Sequence, residues 1–169
     1  MKFSIENIKG EDHDWLVELH NDPEVLFNLT NPKEISMEEH MNWWNNLDLK
    51  KNKRLIFKID GVNAGFVKVY NIDFINKNCV LGADLHNDFR GKKLSKFMWK
   101  LLLDYVFHEI EGIHRASLTT AEYNEPAKKL YRNLGFVEEG RLVQSLFRNN
   151  KFYDQICMYI LKENYINEK

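Results

Sequence analysis

Apolar residues repeat along this chain with two periods, and the switches between them mark out the elements. Residues 2–7 alternate, with Phe3 and Ile5 against polar neighbours, and predict a first strand. From Asp12 to Leu19 the spacing becomes helical through Trp15, Leu16 and Leu19, restarts at Val25, Leu26 and Leu29, and stops at Asn31-Pro32. Ser36 and Glu39 form a capping-box pair that opens a third helix, with His40, Met41, Trp44 and Leu47 on one face. Residues 54–59 and 65–72 read as strands about the Asp60-Gly61 turn, and residues 79–85 as a further strand after a turn at 76–78. Four strands joined by tight turns imply an antiparallel meander.

A long amphipathic helix follows Gly91, with Leu94, Phe97, Met98, Leu101, Leu102, Tyr105 and Val106 on its expected buried face. Residues 115–120 form a fifth strand, which a helical crossover places parallel to its predecessor. A helix over residues 125–134 ends at Gly135, and strands at 143–148 and 152–161 flank the turn Asn149-Asn150. The expected architecture is α/β: a mixed, mostly antiparallel sheet of about seven strands with one parallel pair and helices on both faces.

Composition narrows the class of protein. A chain of 169 residues, 44% hydrophobic and 13% aromatic, is long and apolar enough to bury a core, and we expect a single domain over residues 1–169. A formal net charge of −1 gives no global basic field, so a nucleic-acid partner is not expected. No apolar run approaches a membrane span and no hydrophobic region of a signal peptide opens the chain, so no membrane partner and a cytoplasmic location are expected. Cys79 and Cys157 are the only cysteines and read as packing residues. The six histidines do not fall into metal-ligand spacing with them, and no metal is expected.

Two stretches carry candidate chemistry. Arg90, Gly91, Lys92, Lys93, Leu94 and Ser95 lead into the helix after Gly91, with Lys96 one turn further on. Free backbone N–H groups, the positive end of the helix dipole and this many cations suit a phosphate or pyrophosphate, although basic residues opening a helix also serve as plain solvated surface. The second stretch is NEPAKKLYRNLGF at residues 124–136, where Asn124 and Tyr131 lie two helical turns apart and can look along one side. A third, weaker feature is the acidic segment holding Asp22, Glu24, Glu34, Glu38 and Glu39 against Lys33, which suits a cationic substrate or a solvated surface.

The R-G-x-x-x-S loop at residues 90–95, followed by N-x-x-A-x-x-L-Y-x-x-x-G-F at 124–136, resembles the GCN5-related N-acetyltransferase superfamily. The C-terminal stretch beginning GFVEEGRLV resembles the branch of ribosomal-protein N-terminal, spermidine and amino-sugar acetyltransferases. The resemblance implies that acetyl-CoA is the cosubstrate and that the parallel pair is splayed to receive it. It places the pyrophosphate on the amides of Arg90, Gly91, Lys92, Lys93, Leu94 and Ser95, and the pantetheine arm beside the backbone of Leu85. It further makes Asn124 and Lys128 cofactor contacts, and Tyr131 the general acid that protonates the departing thiolate.

The sequence departs from the family pattern twice. Lys93 and Ser95 stand where the family loop usually has small residues, and Val80 stands where many relatives carry a catalytic glutamate. Asp84 is the nearest substitute base, with Glu122 and His86 as rivals. The acceptor implied is a primary amine on a small molecule, a polyamine or a nucleotide-linked amino sugar. A protein N-terminus, or a non-catalytic acyl-CoA-binding module, is the alternative. The final hairpin offers a pairing edge for a homo-oligomer.

Overall fold

The computed structural model describes residues 1–167. Among them are seven strands: β1 (Phe3–Asn7), β2 (Lys53–Ile59), β3 (Val62–Asp73), β4 (Asn78–Leu85), β5 (Arg115–Ala121), β6 (Val137–Arg148) and β7 (Lys151–Leu161). They form one sheet in the order β1-β2-β3-β4-β5-β7-β6. The helices are α1 (His13–His20), α2 (Pro23–Asn28), α3 (Met37–Asn45), α4 (Ser95–Asp104), α5 (Glu125–Asn133) and α6 (Lys162–Asn167). The mixed sheet with helices on both faces is the architecture the sequence predicts. Neighbouring strands β1 to β4 pair antiparallel, but β1 reaches β2 through three helices and not through a tight turn.

The turns follow their residues. Asp60 and Gly61 have φ of 51° and 83°, and Asn149 and Asn150 have φ of 49° and 58°. Paired positive φ values of this kind match the twist of a two-residue hairpin, and Asn, Asp and Gly adopt them at least cost. Ser36 accepts a hydrogen bond from the Glu39 amide at 3.1 Å, and Glu39 accepts one from the Ser36 amide at 2.8 Å, so the expected capping box forms.

Strand alternation sorts side chains to two faces. Leu55, Phe57, Val67, Val69, Leu81 and Leu85 join α4 and the body of the core on one face. Arg54, Phe66, Lys68 and Asp84 point the other way, where Leu16, Leu19, Val25 and His40 of α1, α2 and α3 meet them around a cavity. The first face is the dry one: Leu102, Leu103 and Val106 have no exposed surface. Burying side chains of this size contributes about 1.5–3 kcal/mol each.

Several boundaries and one helix face differ from expectation. The helix after Gly91 begins only at Ser95, because Gly91 and Lys93 take positive φ and hold the intervening residues in a loop. Its buried face carries Trp99, Leu103 and Phe107 beside Leu94, Met98, Leu102 and Val106, while Phe97 is 44% exposed. The helix is apolar on nearly all sides, so periodicity alone could not choose its face. Phe97 instead stacks on Phe3 of β1, with ring centroids 4.5 Å apart. A π-helical turn at Tyr105–Glu109 ends the helix. Strand β6 starts six residues before the expected 143, its alternation obscured by irregular register at Glu138/Gly140 and Leu142/Leu146.

Gly65 marks the tightest approach between β3, β4 and α4. A Cβ there would meet Met98 Sδ at 2.7 Å and the Asp84 carbonyl oxygen at 2.9 Å. The thioether can move aside but the backbone carbonyl cannot without parting the strands. Gly65→Ala should therefore lower unfolding free energy by about 1–3 kcal/mol in a denaturant titration. An unchanged midpoint would show that β3 and β4 yield freely here.

Candidate active site

The parallel pair in the sheet is short. Strands β4 and β5 match only at Asn78↔Arg115, Cys79↔Ala116 and Val80↔Ser117. Beyond these pairs β4 stays on β3 as far as Leu85, and β5 stays on β7 as far as Ala121. The two strands thus part, each held by its outer neighbour. Two cavities run along the opening. One, of about 160 Å³, is walled by residues 81–84 of β4 and 118–121 of β5. The other, of about 220 Å³, lies between Ala83, Leu85, Ser95, Trp99, Asn124 and Leu130.

Tyr131 lines both cavities. Its ring packs against Trp99 edge-on, centroids 4.8 Å apart, and against Phe136 at 5.8 Å. Burial, with Asp84 and Tyr70 nearby, raises its phenol well above the ordinary tyrosine value. Asp84 and Tyr70 belong to the far face of the sheet, so Tyr131 stands in the opening where the two faces communicate. Asn124 caps α5, its Oδ1 accepting from the Ala127 amide at 3.2 Å, while its Nδ2 donates to Asn28 Oδ1 of α2 at 3.3 Å.

The loop before α4 has the shape an anion requires. Gly91 has φ of 73° and Lys93 of 59°, so the lysine adopts the conformation in which glycine is the usual residue, at a cost of about 1 kcal/mol. Among the described residues no group accepts a hydrogen bond from the amides of Gly91, Lys92, Lys93 or Leu94, and a Cβ added at Gly91 would touch nothing within 4 Å. Unpaired N–H groups at the start of a ten-residue helix fit a pyrophosphate group.

Three cations of the motif are occupied otherwise. Arg90 Nε donates to the Leu85 carbonyl at 2.9 Å, and its other nitrogens reach Asp22 at 2.9 Å and Glu24 at 3.1 Å. The Arg90 amide donates to the Asn87 carbonyl at 3.1 Å. Lys92 Nζ folds back to the Asp88 carbonyl at 2.6 Å. Lys128 is buried, bonded to the Glu122 carbonyl at 2.5 Å and paired with Glu125 at 2.6 Å. The free amides, not these side chains, are what the loop offers.

Asp84 lies where all three cavities meet, including one of about 340 Å³ on the face of α1 to α3. Its Oδ2 accepts from Lys68 Nζ at 2.6 Å, a pair one-fifth exposed on each side. The rival bases are placed elsewhere: Glu122 accepts from the Asp154 amide at 3.0 Å, and His86 accepts from the Asp88 amide at 3.4 Å. The acidic segment is largely neutralised within the chain. Asp22 and Glu24 pair with Arg90, and Glu39 pairs with Lys33 at 2.7 Å.

Sequence reasoning missed Lys68, Arg54, Tyr70 and Arg148. Arg148 is 8% exposed and closes the C-terminal end of α2, donating to the carbonyls of Phe27 at 3.0 Å, Thr30 at 3.4 Å and Leu29. Tyr123 adds a hydrogen bond to the Phe27 carbonyl at 3.1 Å. These contacts span about a hundred positions of sequence and have no local signature.

An opened parallel pair, a helix start with free amides and a tyrosine in the opening suit an acyl-CoA-dependent transferase, and comparison with known proteins establishes that class. Residues 15–136 match the acetyltransferase (GNAT) family, and the chain belongs to it. The spermidine N(1)-acetyltransferase of Escherichia coli (strain K12) is 26% identical over 162 residues, 95% of this chain and 87% of that one. The spermidine N(1)-acetyltransferase of Vibrio cholerae serotype O1 is 34% identical over 103 residues, 61% of this chain and 59% of that one. The crystal structure of spermidine N-acetyltransferase from Vibrio cholerae in complex with CoA and spermine superposes with a TM-score of 0.90 at 25% identity, covering 98% of each chain. The protein is an acetyl-CoA-dependent N-acetyltransferase.

The Arg90 clamp ties the loop to α2, and its electrostatics can be tested. Burial works against ionisation of Asp22, but the hydrogen bonds from Arg90, Val25 and Glu24 outweigh it and hold the carboxyl below the usual range. A depressed folded pKa contributes stability above the unfolded value of about 3.9 and loses it as pH falls through the folded one. Arg90→Met should cost roughly 1–3 kcal/mol at pH 7, and the deficit should shrink below about pH 4. A deficit that stays constant down to pH 3 would assign the loss to the Leu85 carbonyl alone.

Proposed function

We propose that the chain acetylates a primary amine on a small molecule by direct attack on the thioester, with Tyr131 as general acid. The observation that carries this reading is the place of Tyr131 in the opening between β4 and β5, next to Asp84 of the opposite face. Acetyl-CoA, when bound, supplies the thioester carbonyl that the amine attacks. The free amides at residues 91–94 would hold its pyrophosphate, and the unpaired β4 edge beyond Val80 would lie along its pantetheine arm.

The chain's own groups supply the remaining steps. The Tyr131 phenol, its pKa raised by burial, stays protonated across the working pH range and can give its proton to the departing sulfur. Asp84, reachable from the cavity on the α1–α3 face, accepts the proton of the attacking ammonium or orients it. Removing that proton leaves a neutral amine able to attack. Val80 is the last position at which β4 pairs with β5, so Asp84, four residues on, is the carboxylate that the opening exposes.

The cavity of about 340 Å³ suits a small acceptor over a folded protein surface. Polyamines are the acceptors named for the three relatives described above, and spermidine and spermine are accordingly the first to assay. The cavity also contains cations, Arg54 and Lys68, which favour the second acceptor class, an amino sugar linked to a nucleotide.

Thiol release from acetyl-CoA over an amine panel tests the reaction. Tyr131→Phe should lower kcat by roughly 10²–10⁴-fold while leaving CoA affinity unchanged. Equal loss of affinity in a direct titration would make Tyr131 a packing residue. CoA binding without thiol release from any amine would favour a binding module.

A further inference from the structure

The cavity beneath α1 to α3 contains a cation that makes no ion pair among the described residues. Arg54 projects from β2 into it, its guanidinium flanked by Trp43 and Tyr70 with each ring centroid 5.7 Å away. Nη1 donates to the carbonyls of Lys53 at 3.0 Å and Val69 at 2.9 Å. Nε is buried and has no partner among the described residues. Arg54 makes no ion pair among them either, whereas Asp84 and Glu39, the two carboxylates that line the same cavity, are already taken by Lys68 and Lys33.

Burial without a counter-charge pulls this guanidinium down to about 10, yet it remains fully charged at neutral pH. A half-buried cation without a counter-charge is costly, and the occluded Nε without an acceptor adds to that cost. A trivalent polyamine entering the cavity would raise the cost of the unpaired charge. An anion against the accessible part of the guanidinium would relieve it.

We propose that the acceptor is an amine that also carries an anionic group, held by Arg54 while the amine lies at Asp84. The proposal rests on the reading that this cavity receives the acceptor. Strand geometry sets the separation. Arg54 pairs with Lys68, and Lys68 with Gly82, two residues before Asp84. Two strand spacings across and two residues along put the Cα atoms of Arg54 and Asp84 about 12 Å apart. The anion must therefore be several bonds from the reacting nitrogen. The α-amine of an amino acid, with its carboxylate one carbon away, cannot reach both sites. A phosphate-linked amino sugar or the terminal amine of an ω-amino acid can.

Lys68 fits the same picture. Its ammonium occupies the carboxylate of Asp84 and lies over the Phe66 ring at 5.4 Å. The wall at the reacting end is thus neutral before the acceptor enters, and the net positive charge lies at Arg54. Trp43 and Phe66 supply apolar walls for the carbon skeleton between the two ends.

Three probes of equal length isolate the distal charge: ε-aminocaproate ends in a carboxylate, hexylamine in a methyl group and hexamethylenediamine in a second ammonium. Thiol release from acetyl-CoA and calorimetric titration in the presence of CoA would both be measured, with spermidine and a nucleoside-diphosphate-linked amino sugar as further arms. Wild type should prefer ε-aminocaproate to the diamine by roughly tenfold or more in kcat/KM and in affinity. Arg54→Met should erase that preference, with CoA affinity retained as evidence of folding, and Arg54→Lys should restore part of it. A wild type that prefers the diamine or spermidine overturns the proposal, as does a carboxylate preference that survives in Arg54→Met. Absence of thiol release with every amine would instead defeat the catalytic reading, and the binding order of the three probes would still decide this one. Higher activity on the amino-sugar arm would identify the anion as phosphate; higher activity on ε-aminocaproate would identify it as carboxylate.

Discussion

The structure depends on a sheet that is prevented from closing. Strands β4 and β5 are hydrogen-bonded as a parallel pair for three positions, and then each follows a different outer neighbour. A parted pair leaves backbone groups of the two inner edges without ladder partners, and such groups demand another acceptor or donor. Water can supply it, and so can an extended ligand rich in amides. The opening also places Tyr131, because α5 starts directly beyond β5 and the Asn124 cap sets its direction.

Once the sheet is open, its two faces are no longer separate compartments. The face of α4 and α5 carries the loop with free amides, and the face of α1 to α3 carries the cavity with Asp84, Lys68 and Arg54. Asp84 touches all three cavities, so a group bound on either side can reach the same few atoms. Arg90 couples the two sides mechanically. It joins the end of β4 to the Asp22 cap of α2, and Arg148 fixes the other end of that helix. The short helix between the two cavities is thereby held at both termini by residues distant in sequence.

Much of this was legible in the sequence because local rules carry it. The turns at Asp60-Gly61 and Asn149-Asn150, the capping box at Ser36 and the stop at Gly135 depend on a few adjacent residues. The order of the loop at 90–95 and the motif at 124–136 pointed to the family before any geometry was known. What was not legible depends on partners far apart. The burial of Trp99 depends on Tyr131 and Phe136 packing against it, while Phe97 meets the edge strand β1 at Phe3 and stays half exposed. The occupation of Arg90, Lys92 and Lys128 by carbonyls and carboxylates could not be read from their charge. Arg54 and Lys68 looked like ordinary strand cations until the register put them on the face with Asp84.

Amide hydrogen exchange with and without saturating CoA tests the central claim, that the opened pair and the loop before α4 form one ligand site. Slower exchange is expected at residues 81–85 and 91–96 together, with β1 and β6 unaffected. Protection confined to α1 to α3, or absent from both the β4 edge and the loop, would contradict it.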